Sequence, residues 1–283
     1  MIRFRSLLIT GCAVLWNLGC TPSSTHEIRV GDGDGRGAQL RYHEVGSHAV
    51  VEGDIVIGHL HDDRSQSLEL PAGQMVTAQG VAITSSASRW PGGVVPYTLK
   101  QYPLETSRIQ RAIQSYNEIG LFRFVERTTE KDYIEFVDGE HTGDCRSWLG
   151  RKGGRQELWL GERCNFHSVI LHEIGHALGL VHEHSRKDRD QYVQIVTENI
   201  LPEYRWAFDR NFWYAADIGA YDYASVMHYD AYAFSRNGRP TILVRQRGVE
   251  IGYPNQLSAG DLSTLASMYA APAPSQRKGF WFW

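Results

Sequence analysis

Residues 172 to 183 read HEIGHALGLVHE, which gathers three of the chain's 12 histidines and two glutamates into one short string. On a helix, His172 and His176 are four apart and project from one face, one turn from each other. That spacing lets both imidazoles reach a single Zn2+ at about 2.0–2.1 Å. Glu173 leans over the same edge, where a carboxylate can hold a water on the metal and accept its proton. Gly179 can take the left-handed conformation that ends a helix, turning the chain back so that His182 supplies a third ligand. HExxH alone also arises by chance, but HExxHxxGxxH is far more specific. A solvated histidine stripe would explain neither the glycine nor the apolar residues between the histidines. Three neutral histidines leave a position open for water and lower its pKa toward ~7. The chemistry indicated is amide hydrolysis with one Zn2+ per chain, with Glu173 as base; a closed structural site would use four protein ligands and cysteines.

The elements that must position these residues are legible around them. Residues 165–180 are apolar with helical period and stop at Gly179. A second helix is expected over Thr106 to Glu118, with Ile109, Ala112, Ile113 and Tyr116 on one face and a cap from Thr106 or Ser107. FRFVER, DYIEFVD and QELWLG read as strands, and RWPGGVVPYTL at 89–99 as a turn feeding another. The chain is then long, aromatic-rich and irregular, with SVMHYD at 225–230 and a short last helix near Ser258 to Tyr269. This order implies an α+β domain.

With 283 residues, 42% hydrophobic and 22% charged, the chain has the composition of a soluble globular protein. A net charge of -3 gives no reason to expect a nucleic-acid or anionic-membrane partner. The N-terminus differs: Arg3 and Arg5 precede an apolar run from Leu7 to about Leu18, too short to span a bilayer and suited to an export signal. Cys20 resembles the lipidated cysteine that ends a bacterial lipoprotein signal, although Asn17 departs from the usual aliphatic residue. Cys12 fits that pattern better but leaves too little apolar run. A membrane contact is expected only through such an anchor, and the expected location is outside the cytoplasm: secreted, periplasmic or lipid-anchored. Cys145 and Cys164 then remain, and two thiols in an exported protein most simply form one disulfide. Residues 21–40 read as a polar linker, and 41–79 as an extended strip that leans on something else.

The extension of the zinc string, HEHSRKDRDQYV at 182–193, resembles the signature of the astacin family of metzincin metallopeptidases, and SVMHY at 225–229 is similar to its Met-turn. That resemblance implies a two-subdomain zincin fold: a twisted mixed sheet, an active-site helix and an irregular C-terminal subdomain. It implies that Met227 floors the zinc, and that Tyr229 is a displaceable ligand that swings away to stabilise the oxyanion. Cys145 and Cys164 match one of the family's two disulfides. Arg146, Ser147 and Trp148 match the rim strand on which peptides lie antiparallel. The second disulfide is missing, with Leu121 at one of its positions. Pro254 falls where several relatives carry an arginine in the S1′ wall, with Arg245 and Arg247 nearby. His184 and His228 are assigned to structure or solvent.

VEGDI at 51–55 is similar to the FxGDI motif of astacin-like zymogens, which implies that Asp54 occupies the open metal position; Val51 replaces the phenylalanine. The family's buried new N-terminus pairs through water with the glutamate after the third histidine, here Glu183, and its spacing places that terminus near Val81. The expected organisation is a signal at 1–20, a linker and inhibitory segment at 21–80, a catalytic domain at 81–271 and a tail at 272–283. The expected partners are a peptide or protein substrate and an activating protease. A serralysin-like metzincin shares the zinc string but predicts calcium repeats after the domain. A zinc-containing binding module without catalysis is the other alternative, against which Glu173 speaks.

Overall fold

The computed structural model describes residues 25–30, 38–60, 68–69, 86–100, 106–139, 145–161, 164, 166–210, 216–252 and 254–270. The signal, Cys12, Cys20, Val81 and the tail lie outside them. Its strands are β1 (Thr25–Val30), β2 (Ala38–Val45), β3 (His48–Val51), β4 (Ile55–Leu60), β5 (Leu68–Glu69), β6 (Val94–Thr98), β7 (Arg123–Glu126), β8 (Tyr133–Val137), β9 (Cys145–Trp148), β10 (Arg155–Leu160), β11 (Val193–Ile195) and β12 (Ile242–Val244). Its helices are α1 (Ser107–Glu118), α2 (His167–Ala177) and α3 (Ala259–Tyr269).

One mixed sheet runs in the order β1-β2-β3-β4-β9-β10-β8-β6-β7, with β5 beside β4. Its β6, β7, β8 and β10 are mutually parallel, while β9 is antiparallel to β10. The N-terminal meander joins this sheet through β4, which pairs parallel to β9 with Ile55 opposite Ser147 and Val56 opposite Trp148. Residues 25–30 and 38–40, within the stretch read as a linker, are strand: Thr25, Ile28 and Val30 favour extended backbone, and β1 pairs antiparallel with β2 along its length. The first part of the 41–79 strip, residues 41–60, is likewise folded, and Val50, Val51, Ile55 and Val56 in it are buried. Burying a valine or isoleucine contributes about 1.5–3 kcal/mol, so four of them anchor the meander firmly.

Helix α1 turns Ile109, Ala112, Ile113 and Tyr116 inward as its period predicts. Thr106 precedes it in helical conformation and its side chain makes no cap bond, so the expected cap is not formed. Tyr116 donates its hydroxyl to the Leu171 carbonyl at 2.8 Å, tying α1 to α2. Every residue of α2 from Ser168 to Ala177 is buried. A helix apolar all round must be enclosed, and this one lies between the sheet and the irregular C-terminal half. Its end is fixed twice. Gly179, at φ 104°, turns the chain and donates its N–H to His176, and Trp90 donates its indole N–H to the Ala177 carbonyl at 2.8 Å. The Cys145–Cys164 disulfide ties the start of β9 to the chain just before α2. Leu121, where the second disulfide would be, packs half-buried against the core instead.

Among the described residues, the C-terminal half holds only the β11–β12 ribbon, short 3-10 turns and α3. Its core is aromatic: Phe208, Tyr221, Tyr229 and Phe234 are buried together. Asp261 closes a capping box with Ser258 at the start of α3. The same carboxylate accepts from Ser225 Oγ at 2.6 Å and Val226 N at 3.0 Å, so α3 holds the turn that carries Met227.

Candidate metal centre

His172 and His176 come from α2, and His182 from the segment that Gly179 turns back; all three are buried. The Nε2 atom of His172 lies 3.1 Å from that of His182 and 3.0 Å from that of His176. Their other ring nitrogens face acceptors. Nδ1 of His172 donates to the Val226 carbonyl at 2.9 Å, and Nδ1 of His176 to the Leu180 carbonyl at 2.8 Å. Nδ1 of His182 meets the carboxylate of Glu52 at 2.9 Å. Each acceptor requires the proton on Nδ1, so three Nε2 lone pairs converge on one point.

The Asp54 carboxylate faces the same point, 3.3 to 3.5 Å from the three Nε2 atoms, and is fully buried. Three lone pairs and an anion cannot share so small a buried volume without a cation. The donor set, three imidazoles and one carboxylate with ligand atoms within 4.8 Å of one another, suits Zn2+.

Glu173 lies beside this cluster, completely buried, and neither of its oxygens meets a hydrogen-bond donor among the described residues. Burial first, and the Asp54 charge second, push its carboxyl well above the ordinary range, while Arg146 pulls the other way. A buried carboxyl of raised proton affinity next to a metal site suits proton transfer. Met227 is buried below α2. Tyr229 is buried with its ring stacked on His184, centroids 3.9 Å apart, and donates its hydroxyl to the backbone carbonyl of Glu52. Gly53 is required by that approach: at φ 99° a Cβ there would sit 2.7 Å from the Tyr229 oxygen.

His184 and His228 are buried and used internally. His184 donates to the Ala207 carbonyl, and His228 bridges the Tyr221 hydroxyl and the Tyr229 carbonyl. Glu183 accepts from the Asp222 N–H at 2.7 Å, and burial pushes its carboxyl up to about 8 against the pull of Arg186. It lines a small cavity with Asp222 and Asp261.

Arg146, Ser147 and Trp148 lie buried on β9 beneath the meander, and Pro254 lies half-buried between β12 and α3. Sequence reading passed over Glu52, Trp206 and His43. Trp206 stacks on His43 of the meander at 3.9 Å, and the apolar contact between Val50, Val56 and Trp148 adjoins it. The carboxylate before the Gly-Asp turn was the available signal for Glu52; Trp206 had none.

The profile of the astacin peptidase family matches residues 82–270. The chain belongs to the astacin family. Two curated astacin-family relatives are the zinc metalloproteinase nas-6 of Caenorhabditis elegans, 38% identical over 217 residues and 75% of this chain, and tolloid-like protein 2 of Mus musculus, 38% identical over 205 residues and 68% of this chain. The chain spans 61% of the length of the first and 20% of the second. In structure this astacin resembles high choriolytic enzyme 1, a hatching enzyme zinc-protease from Oryzias latipes. The TM-score is 0.60 at 36% identity, covering 65% of this chain and 96% of that one. The two-subdomain metzincin architecture and a single zinc held by histidines follow from membership and agree with the buried cluster.

Proposed function

We propose that this chain is an exported zinc endopeptidase of astacin type, made latent by its own N-terminal meander. His172, His176 and His182 hold the metal in the active enzyme, and Asp54 joins them in the latent one. The bound zinc supplies Lewis acidity and an acidified water. Glu173 receives a proton on its carboxylate and returns it to the departing amine. The Tyr229 hydroxyl donates to the carbonyl oxygen of the cleaved bond as negative charge builds there. In the latent chain that donor is taken by the Glu52 carbonyl. Strand β9, with Arg146, Ser147 and Trp148, offers the edge on which an extended peptide lies once β4 leaves. Pro254 lines the primed side in place of the family's arginine.

Activation by another protease near Val81 frees a terminus for the cavity of Glu183, Asp222 and Asp261. Export rests on the apolar run after Arg3 and Arg5, with Cys20 offering a lipid anchor. The observation that carries the reading is the buried convergence of three Nε2 atoms beside a Glu173 carboxylate that has no partner among the described residues. Casein digestion by the processed protein, with and without a chelator, tests it: activity should vanish with the chelator and return with zinc. Hydrolysis that persists without metal would overturn it.

A further inference from the structure

The three histidines differ in what holds them from behind. His172 and His176 donate to backbone carbonyls, those of Val226 and Leu180, which belong to the α2 region and the turn packed under it. Nδ1 of His182 instead meets Oε2 of Glu52, a side chain of the N-terminal meander. The same oxygen receives the hydroxyl of Ser185 at 3.1 Å, three residues after His182. Glu52 is itself buried, and its backbone holds φ 52°, a left-handed conformation that non-glycine residues adopt at a cost. Such a conformation persists where the surroundings over-determine it, and here the constraints are the His182 contact and the Tyr229 bond to the Glu52 carbonyl.

A carboxylate on the distal nitrogen of a ligating histidine fixes its tautomer and ring orientation and raises its basicity toward the metal. We infer that Glu52 is a positioning residue for the zinc: it orients His182 from the meander, so the latent chain retains its metal more tightly than the processed one. This goes beyond the block by Asp54. Asp54 occupies the metal's open side, whereas Glu52 acts through a ligand that the active enzyme keeps. When the meander leaves, His182 loses its charged partner while His172 and His176 keep their backbone carbonyls. The meander is therefore also a loading device, which keeps the site filled until activation.

The inference rests on the zinc reading above, and a test can separate the two. Intact wild type, Glu52→Gln and Glu52→Gly would be loaded with zinc, and metal transfer to a chromogenic chelator followed in time. The amide of Glu52→Gln can still accept from Nδ1 but carries no charge. Glu52→Gly removes the acceptor and relieves the left-handed backbone, so any loss cannot come from added strain. Losing such a partner typically costs about 10–100-fold in metal affinity. Glu52→Gly should therefore release zinc faster by about that factor, with Glu52→Gln between it and wild type. Tryptophan emission reports whether the meander stays seated, because it covers Trp148 and Trp206. Release as slow as wild type from both variants, with emission unchanged, would overturn the inference. If Glu52→Gly unseats the meander, Glu52→Gln decides, and wild-type retention there overturns it. A wild-type chain that takes up no zinc would instead overturn the metal reading itself.

Discussion

The phenolic hydroxyl of Tyr229 donates to the backbone carbonyl of Glu52, so the chain presents one of its own peptide carbonyls to the donor proposed to stabilise a substrate's oxyanion. Two uses of one hydroxyl give a double expectation for Tyr229→Phe. In the processed enzyme kcat should fall about 10²–10³-fold, as on losing one oxyanion donor. Zinc content should stay at wild-type level, because the three histidines carry the affinity. Metal analysis beside steady-state kinetics checks this; loss of zinc with kcat per bound metal unchanged would contradict the role.

Asp54 is the meander's group nearest the three Nε2 atoms, and it is fully buried. Asp54→Ala should leave β4 on β9 but free the metal's open side. The intact variant should then cleave a short fluorogenic peptide while intact wild type does not, with mass spectrometry confirming that neither chain has been processed. Activity should remain below that of the processed enzyme, because β4 still covers the rim strand.

Acid should loosen the meander. His48 is half-buried against Trp148 and Trp159, and burial pushes it down to about 4. His59, Arg146 and Lys152 press in the same direction, and Glu157 opposes them. His43, stacked on Trp206, is likewise pushed down to about 4, by burial and then by His26. A histidine whose folded pKa is depressed contributes stability above its unfolded value of 6.5, and that contribution is lost as pH falls toward about 4. Tryptophan emission of the intact chain should therefore change within that window. His48→Phe keeps a ring on Trp148 without the titration, so its meander should stay seated to lower pH. Superimposed curves would refute the idea.

Arg186 is almost fully buried and reaches four partners. It makes two bonds to Asp188 at 2.8 Å, donates to the Ile218 and Gly219 carbonyls, and lies 3.5 Å from Glu183. Without the guanidinium these bonds are unmade, and a hydrogen bond involving a charged group contributes about 1.5–3 kcal/mol. Arg186→Ala should lower the free energy of unfolding in urea by at least about that amount. A change indistinguishable from zero would mean that the guanidinium is replaced by water at no cost.

What could be read in advance was local. The zinc string, the apolar face of α1 and the stop at Gly179 are encoded by spacing within a turn or two. Asp54 became legible only through the likeness of VEGDI to a known motif, since a Gly-Asp turn by itself is common. Glu52, His43 and Trp206 were missed because their partners lie far away in sequence and are joined by the parallel β4–β9 pairing, which leaves no periodic trace. The polar composition of residues 21–40 suggested a linker, yet β1 and β2 pair there, because backbone ladders need little apolar content. Thr106 failed as a cap for a local reason: it has already entered the helical conformation.

The central claim is that a base beside a histidine-held zinc performs peptide hydrolysis, and Glu173→Gln tests it most directly. The processed variant and processed wild type would be compared on one peptide substrate, with zinc measured in both. General-base catalysis contributes about 10²–10⁴-fold, so turnover should fall by at least that range while bound zinc stays at one per chain. Turnover near the wild-type rate with zinc in place would contradict the account, since no other buried carboxylate of the cluster would remain once Asp54 has left with the meander.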